Sequence, residues 1–506
     1  MHWADAYFRN VTGNQTISTG ISPSGPIHVG NMREILTGDM LYKASLRSGL
    51  KSRFIYLCDD MDPLRKVYPF LDASYSSHVG KPLYRIPSPD GKGTYSEYFL
   101  APFLDTLDAL NVNVEVIRTS NLYATGKFQK AIEILFERKD QVADILERIS
   151  GRKIEEGWSP YQPICEKCGS ITTTSVKSFS SPYVEYTCKC GHSGKADIRK
   201  DDGKMPWRIE WPAKWYALSV TIEPFGKDHG AAGGSYDTGK AIAKEIFGID
   251  PPAPLLYERI FLKGMGVMHS STGISIAANE VLKFAPPAIM RFIIAKNNPS
   301  RHIDFDPGIG LLNLVDEYEK YLSAYYGEDT VGDPDFRSVV EYSSTGKEVR
   351  PPEVSFRHIV NLVQIYPDDR NLLRALQKGG YKSDNLDNDI KNEIQIVRNW
   401  LNKYAPESVK FRMLGVNDPA TLTDSDKKIL QEFISVMDII GWNPEDIHNS
   451  VHEIIKRMNI PPAEGFAAFY RALIGKDRGP RLGYFLSNLD REFLKKRLLS
   501  VTAKRP

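Results

Sequence analysis

The first apolar run of the chain, TISTGI at 16–21, predicts a short buried strand closed by the turn-forming Ser22-Pro23-Ser24-Gly25. From His28 to about Arg47 the period changes. Ile35, Leu36 and Met40 follow Met32 at offsets of three, four and eight, which makes one apolar helical stripe, and Gly49 is its stop. RFIYLC at 53–58 predicts a second buried strand, with Asp59, Asp60 and Asp62 directly after it. A helix near 95–110, a strand at 113–118 (VNVEVI) and a long amphipathic helix at 121–149 come next. This alternation predicts a parallel sheet with crossover helices. Such sheets bind ligands beyond the carboxyl ends of their strands. SPSGPIHVGN and CDDMD both fall at such ends.

Residues 151–205 break the alternation, α/β texture returns at about 206–295, and from about 350 Pro-punctuated helical segments dominate with no clear strands. No internal repeat or low-complexity stretch stands out. At one domain per ~150 residues, a chain of 506 residues predicts three or four domains. A hydrophobic fraction of 42% and a charged fraction of 25% are ordinary for a globular protein. No apolar run approaches the ~20 residues of a membrane helix, and MHWADAYFRN lacks a secretion-signal layout. The expectation is a cytoplasmic protein without a membrane association.

The net charge of +2 conceals an asymmetry: residues 451–506 carry twelve Lys or Arg against five Asp or Glu, +7, and leave the rest near −5. This fits local contact with a polyanion, and equally a solvated basic helix. Of five cysteines, Cys58 stands apart, and Cys165-x-x-Cys168 and Cys188-x-Cys190 are nineteen residues from each other. Paired thiols at that spacing predict a closed tetrahedral Zn²⁺ site of structural role, with His192 as an alternative to one thiolate. The polar sequence between the pairs predicts a module with little core of its own, held together by its metal.

In the turn after the first strand, Pro and Gly bring backbone close to a ligand. His28 stands at the mouth of the helix, where free N–H groups and the helix dipole attract phosphate. Capping or packing is the plainer role for a lone His there. The whole string T-G-x-x-P-S-G-x-x-H-x-G-N at 19–31 resembles the first signature of class I aminoacyl-tRNA synthetases, H-x-G-H, with Asn31 in place of the second His. The H-x-G-N form resembles that of the class I lysyl enzymes. CDDMDPLRKVY at 58–68, WRIEWPAKW at 207–215, GKDHGAAGGSYDTG at 226–239 and GKDRGPRLGYFL at 475–486 resemble strings of that family, in the expected order.

The resemblance implies a Rossmann-type catalytic domain at 1–150 and 205–295, with a zinc-binding insertion at 151–204. It also implies an acceptor-stem-contacting linker at 296–365 and an all-α anticodon-binding helical cage at 366–506. It implies ATP-dependent attachment of L-lysine to tRNA(Lys) through lysyl-adenylate, with ATP, Mg²⁺ and structural Zn²⁺, and no obligate protein partner. ATP would meet Pro23, Ser24, Gly25, His28, Gly30 and Asn31, and a second signature loop at Met268, His269, Ser270, Ser271, Thr272 and Gly273. His28, Asn31, Ser270 and Ser271 would be catalytic. Val267 and Thr272 stand where the family's K-M-S-K-S has lysines, so Lys263 or His269 is left to supply charge. A synthetase for another amino acid, or a paralogue that binds nucleotide or tRNA without charging, is the alternative.

A lysine site needs an acid for each ammonium group and an apolar wall for the stem. Asp59, Asp60 and Asp62 offer acids, or helix caps. Trp207, Trp211 and Trp215 offer aromatic faces, or core. By resemblance Gly20, Ser22, Trp211 and His229 lie near bound lysine. For RNA the candidates are Lys476, Arg478, Arg481, Lys495, Lys496 and Arg497, with Phe485 to stack on unpaired bases. Each of these has a plainer reading as a cap or surface charge.

Overall fold

The computed structural model describes residues 1–151, 153–264, 266–267, 275–346 and 350–503. A short helix, α1 (Trp3–Tyr7), precedes β1 (Gln15–Ile21), α2 (Val29–Arg47) and β2 (Ser52–Cys58). These match the first two predicted strands and the helix between them. Met32, Ile35, Leu36 and Met40 are all buried, as their spacing requires. α2 lies so close to the sheet that a Cβ on Gly38 would stand 2.7 Å from the Phe54 ring and 2.8 Å from Thr19 Cγ2, which only glycine tolerates.

Next come α3 (Tyr95–Ala109) and β3 (Glu115–Arg118). The long helix expected at 121–149 is three helices, α4 (Thr119–Ala124), α5 (Gln129–Glu137) and α6 (Lys139–Ser150). The apolar period runs on across the breaks because each piece packs into the same core, but the chain turns at Gly126 and again at Arg138.

Residues 151–205 form small antiparallel sheets. β4 (Gln162–Pro163) pairs with β8 (Gly203–Lys204), and β5 (Thr174–Ser180), β6 (Tyr183–Cys188) and β7 (Ser193–Asp197) form a meander. The module is not coreless. Ile164, Val184, Tyr186, Ala196 and Ile198 are buried in one cluster with Ile55, Ile209 and Trp211 of the main layer. Its apolar residues are few, but they share a larger core.

The chain returns with α7 (Trp207–Leu218), β9 (Ile222–Gly226), α8 (Ser235–Ala241) and β10 (Ala253–Tyr257). The main sheet is all parallel, in the order β10-β9-β1-β2-β3. The connections run outward in opposite directions from β1. The crevice between β1 and β9 is therefore the switch point where ligands of such sheets bind. β11 (Ile260–Leu262), β12 (Gly266–Val267) and β13 (Ile303–Phe305) form a further small sheet, with α9 (Ala278–Val281) and α10 (Pro287–Ala295) between β12 and β13 in sequence.

The chain divides into two compact units. One holds Met1–Leu282, Pro287–Phe305 and Ala324–Val349, and the other Lys283–Pro286, Asp306–Ser323 and Arg350–Pro506. The stretch 296–365 contributes to both. In the second unit the described residues of 350–503 carry helices and no strands, around a core that includes Phe433, Phe469, Leu473 and Phe485. Among the described residues no helix is long and apolar enough to cross a membrane.

Candidate active site

The crevice between β1 and β9 gathers side chains from five elements. Gly20 near the end of β1 donates its N–H to Glu34 of α2 at 2.6 Å, and Tyr257 at the end of β10 donates its hydroxyl to the other carboxylate oxygen at 2.7 Å. Burial pushes the Glu34 carboxyl up to about 7. Its two hydrogen bonds oppose the shift, and nearby Asp59 adds to it. Across the crevice Trp211 of α7 donates to Glu223 of β9 at 3.0 Å, and Trp215 donates to its other oxygen. Burial lifts Glu223 to about 8 against these two bonds. Both carboxyls thus have neutral hydrogen-bond donors. A charge buried without a counterion is costly, so each gains from a cation brought into the crevice.

Aromatic rings wall this space. Trp207 stacks on Trp211 with centroids 5.6 Å apart, and the His229 ring lies 5.3 Å from Trp207 and 5.7 Å from Trp211. Trp207 and His229 keep part of their surface accessible, whereas Trp215 is buried in the core. The structure sets Trp211 against His229, and Gly20 against Glu34. It adds Glu34, Glu223 and Tyr257, which no motif marked. The available signal was spacing: Glu34 is four residues after Gly30 and shares its helix face.

Asp59 and Asp62 are already engaged within the chain. Their carboxylates already hold the chain's own lysines. Lys204 Nζ lies 2.7 Å from Asp62 Oδ1 and 3.2 Å from Glu210, while Lys214 pairs with Asp59 and lies 3.3 Å from Glu210. Thr119 donates to Asp59 at 2.8 Å, Ser22 to Asp62 at 2.6 Å and Tyr123 to Glu210 at 2.6 Å. Burial is the largest influence on Asp62 and would raise it, but Lys204, Ser22 and Lys214 together hold the carboxyl below its usual range, whereas burial wins at Asp59. Two acids with partners this close are poorly placed to receive a substrate ammonium.

The turn 22–25 leads to His28, a buried N-cap with extended backbone. Asn31 Oδ1 accepts the His28 N–H at 3.1 Å, so Asn31 holds the helix start. Tyr95 fixes the far side of the turn by donating to the Ser24 carbonyl at 2.7 Å. The second-loop candidates Met268, His269, Ser270, Ser271, Thr272 and Gly273 lie outside the described residues. Directly after them, however, Ile276 O accepts from Val29 N at 3.0 Å and Ala278 N donates to Ile27 O at 2.8 Å. The chain leaving that loop is hydrogen-bonded to both neighbours of His28.

The four cysteines of the insertion converge. Their sulfurs lie within 4.8 Å of one another, with Cys165–Cys190 and Cys168–Cys188 both at 3.7 Å. A tetrahedral ion with metal–sulfur bonds of about 2.3 Å sets sulfurs about 3.8 Å apart, so the set fits Zn²⁺. Each pair sits in a tight turn closed by a glycine in the left-handed region, Gly169 (φ 75°) and Gly191 (φ 85°). His192 is not needed as a ligand: its Nε2 lies 2.7 Å from Glu166.

Residues 1–346 match the family described as tRNA synthetases class I (K). The chain belongs to that family. It is 59% identical over 504 residues to a lysine--tRNA ligase of Picrophilus torridus, with 100% of both chains covered. Proteins of the same name from Thermoplasma volcanium (57% identical, 99% of each chain covered) and Archaeoglobus fulgidus (42%, 98% of this chain and 99% of the relative) are similar throughout.

The helical unit of this class I synthetase chain sorts the six basic candidates. Arg478, Arg481 and Lys496 are exposed. Arg478 and Arg481 line a groove of about 1250 Å³ with His448, Phe466 and Tyr484. Lys476 instead ties the unit together, donating to the carbonyls of Glu407 at 2.7 Å and Lys410 at 2.6 Å. Lys495 pairs with Asp438. Arg497 is a correction: it is buried and donates to the carbonyls of Ala472, Val416 and Asp418, so it is a core staple and unavailable to RNA. Phe485 is likewise buried, and its neighbour Tyr484 is the exposed ring, at 54%.

Proposed function

We propose that the chain attaches lysine to tRNA(Lys) in two ATP-dependent steps, and that Glu34 receives the substrate ε-ammonium. The observation that carries the reading is this buried carboxyl, held by the Gly20 N–H and the Tyr257 hydroxyl at the sheet's switch point. A lysine stem would lie along Trp211 and Trp207, where an aromatic face suits both alkyl carbon and a cation. The full-length likeness to proteins named lysine--tRNA ligase supports the same substrate.

With the ammonium at Glu34, the α-carboxylate points toward the turn 22–31. ATP enters as its magnesium complex. A carboxylate oxygen of lysine attacks the α-phosphorus, the bond to the bridging oxygen breaks, and pyrophosphate leaves with its electron pair. His28 and the first N–H groups of α2 stand at the helix mouth, where they stabilise the charge on the phosphates. Ile276–Ala278, directly after the second signature string, pair with Ile27–Val29 on either side of His28. In the second step the terminal ribose 2′-hydroxyl of tRNA attacks the mixed anhydride carbonyl, AMP departs, and the hydroxyl proton is lost to solvent or to the leaving phosphate. Positioning and electrostatics supply the catalysis, with no covalent enzyme intermediate. Cys165, Cys168, Cys188 and Cys190 hold zinc, which supplies a structural crosslink and no chemistry at the reacting atoms. Arg478, Arg481 and Lys496 meet RNA phosphates, and Tyr484 offers a stacking face.

The test uses tRNA(Lys) ending in either 2′-deoxy- or 3′-deoxyadenosine, with labelled lysine and ATP. Ester should form on the 3′-deoxy tRNA and not on the 2′-deoxy form. Ester on the 2′-deoxy form alone would contradict the class I geometry.

A further inference from the structure

The insertion and the signature turn are joined by one buried lysine. β8 ends in Lys204, and its partner strand β4 stops two residues before Cys165. Ile164 N donates to Asp202 O at 2.7 Å, so the two strands stay paired up to the cysteine. From β8 the Lys204 side chain, 4% exposed, crosses to Asp62, whose second oxygen accepts from Ser22 Oγ at 2.6 Å. Ser22 is the first residue of the turn and stands two residues from Gly20, which holds Glu34. The end of this strand pair is pinned to the same edge by a second route: Arg85 donates to the Asp201 carbonyl at 2.6 Å and side chain at 2.8 Å, and Leu83 N donates to Asp62 O at 2.9 Å.

We infer that Lys204 is a positioning residue through which the metal-bound module sets the near end of the signature turn, Gly20 to Ser22, and so tunes lysine binding. An ammonium has three donors and no preferred plane, so Lys204 serves Asp62 and Glu210 at once and leaves Asp62 an oxygen for Ser22. The far end of the turn has its own anchor, Tyr95 on the Ser24 carbonyl. Loss of Lys204 therefore loosens the lysine side of the turn and spares the ATP side. Without the metal the β4–β8 pair loses its clamp two residues away, with the same consequence. The kinetic arm of this inference rests on the proposed lysine activation; the structural arm does not.

The experiment compares wild type, Lys204→Met and Lys204→Arg as full-length chains, each with zinc counted and each before and after stripping with a thiol-reactive chelator. Backbone hydrogen exchange is followed by mass spectrometry. Lys204→Met should keep one zinc per chain yet exchange at least tenfold faster over peptides covering 19–25, with β2 and β3 unchanged. Stripping should speed the same peptides in wild type and add nothing there in Lys204→Met. In ATP–pyrophosphate exchange, Lys204→Met should raise KM for lysine at least fivefold and change KM for ATP less than twofold, with Lys204→Arg restoring most of the difference. Unchanged exchange over 19–25 in Lys204→Met with its zinc retained overturns the inference, even if stripped wild type unfolds. Equal effects on both KM values overturn the tuning of lysine binding. Absence of any pyrophosphate exchange in wild type, with the hydrogen-exchange result intact, would count against the lysine-activating function and leave the coupling standing.

Discussion

Glu34 is, with Glu223, a buried carboxyl of the crevice whose proton is held well above the ordinary carboxylate range. Its pKa of about 7 in the folded chain lies above the ordinary 4.5, chiefly through burial. The folded state therefore takes up this proton first as pH falls, so Glu34 favours folding increasingly as pH drops from about 7 toward 4.5. A bound ammonium acts in the opposite sense, because it favours the ionised carboxylate. Lysine affinity should then rise with pH through about 7 and level off above it. Steady-state KM for lysine, measured from pH 6 to 8.5, should fall across that range in wild type. In Glu34→Gln it should be flat and higher by about tenfold to a hundredfold, as for losing one charged hydrogen bond. A pH profile in the variant like that of wild type would remove Glu34 from the ammonium site. His28→Ala should abolish adenylate formation while melting within a few degrees of wild type by circular dichroism. Near-normal pyrophosphate exchange in that variant would make His28 a cap and nothing more.

At the scale of elements, the opening strand, the turn and α2 were legible because period and punctuation agree there. The helix predicted at 121–149 was not, because its breaks at Gly126 and Arg138 leave the apolar rhythm intact. Charged residues within well-buried elements were the least legible. Asp59 and Asp62 carry the right charge for a lysine site, but the lysines that occupy them arrive from β8 and α7, more than a hundred residues later. Glu34 had no motif to mark it. α2 shows the same with Asp39, which is fully buried and pairs with Arg291 of α10 at 2.6 Å and with Lys43 at 2.9 Å. Arg291 also donates to the carbonyls of Leu110 at 3.1 Å and Tyr342 at 2.9 Å, so it binds three parts of the first unit. Removing one partner leaves a buried charge short of its counterion, at a cost of about 3–5 kcal/mol. Arg291→Ala should lose stability of that order in urea unfolding. The double variant Asp39→Asn/Arg291→Met should recover part of it. A loss below about 1 kcal/mol would mean that Lys43 alone satisfies Asp39.

Over the whole molecule, a net charge of +2 hides the basic excess of residues 451–506. The basic excess of residues 451–506 is partly internal, since Lys476, Lys495 and Arg497 are committed to protein groups. Sequence could mark the excess but not divide staples from free cations, because that depends on which carbonyls the helices bring near. Arg478→Glu with Arg481→Glu should weaken tRNA binding by at least tenfold and flatten its salt dependence, while pyrophosphate exchange stays within twofold of wild type. Arg497→Ala should instead lower stability. The comparable variant Arg497→Lys should restore it only in part, since one ammonium cannot reproduce the planar fork. Filter binding across a salt series, set against unfolding curves, separates the two classes. Equal loss of RNA binding in all of these variants, without any change in stability, would refute the division.

The central claim is that the crevice between β1 and β9 selects lysine by its ammonium and presents its carboxylate to ATP at the His28 turn. ATP–pyrophosphate exchange with each amino acid in turn tests this most directly. Exchange is expected with lysine, at background with arginine, ornithine and neutral residues, and close to background with lysine in Glu34→Gln at subsaturating substrate. Robust exchange driven by another amino acid, or by lysine equally well in Glu34→Gln, would contradict it.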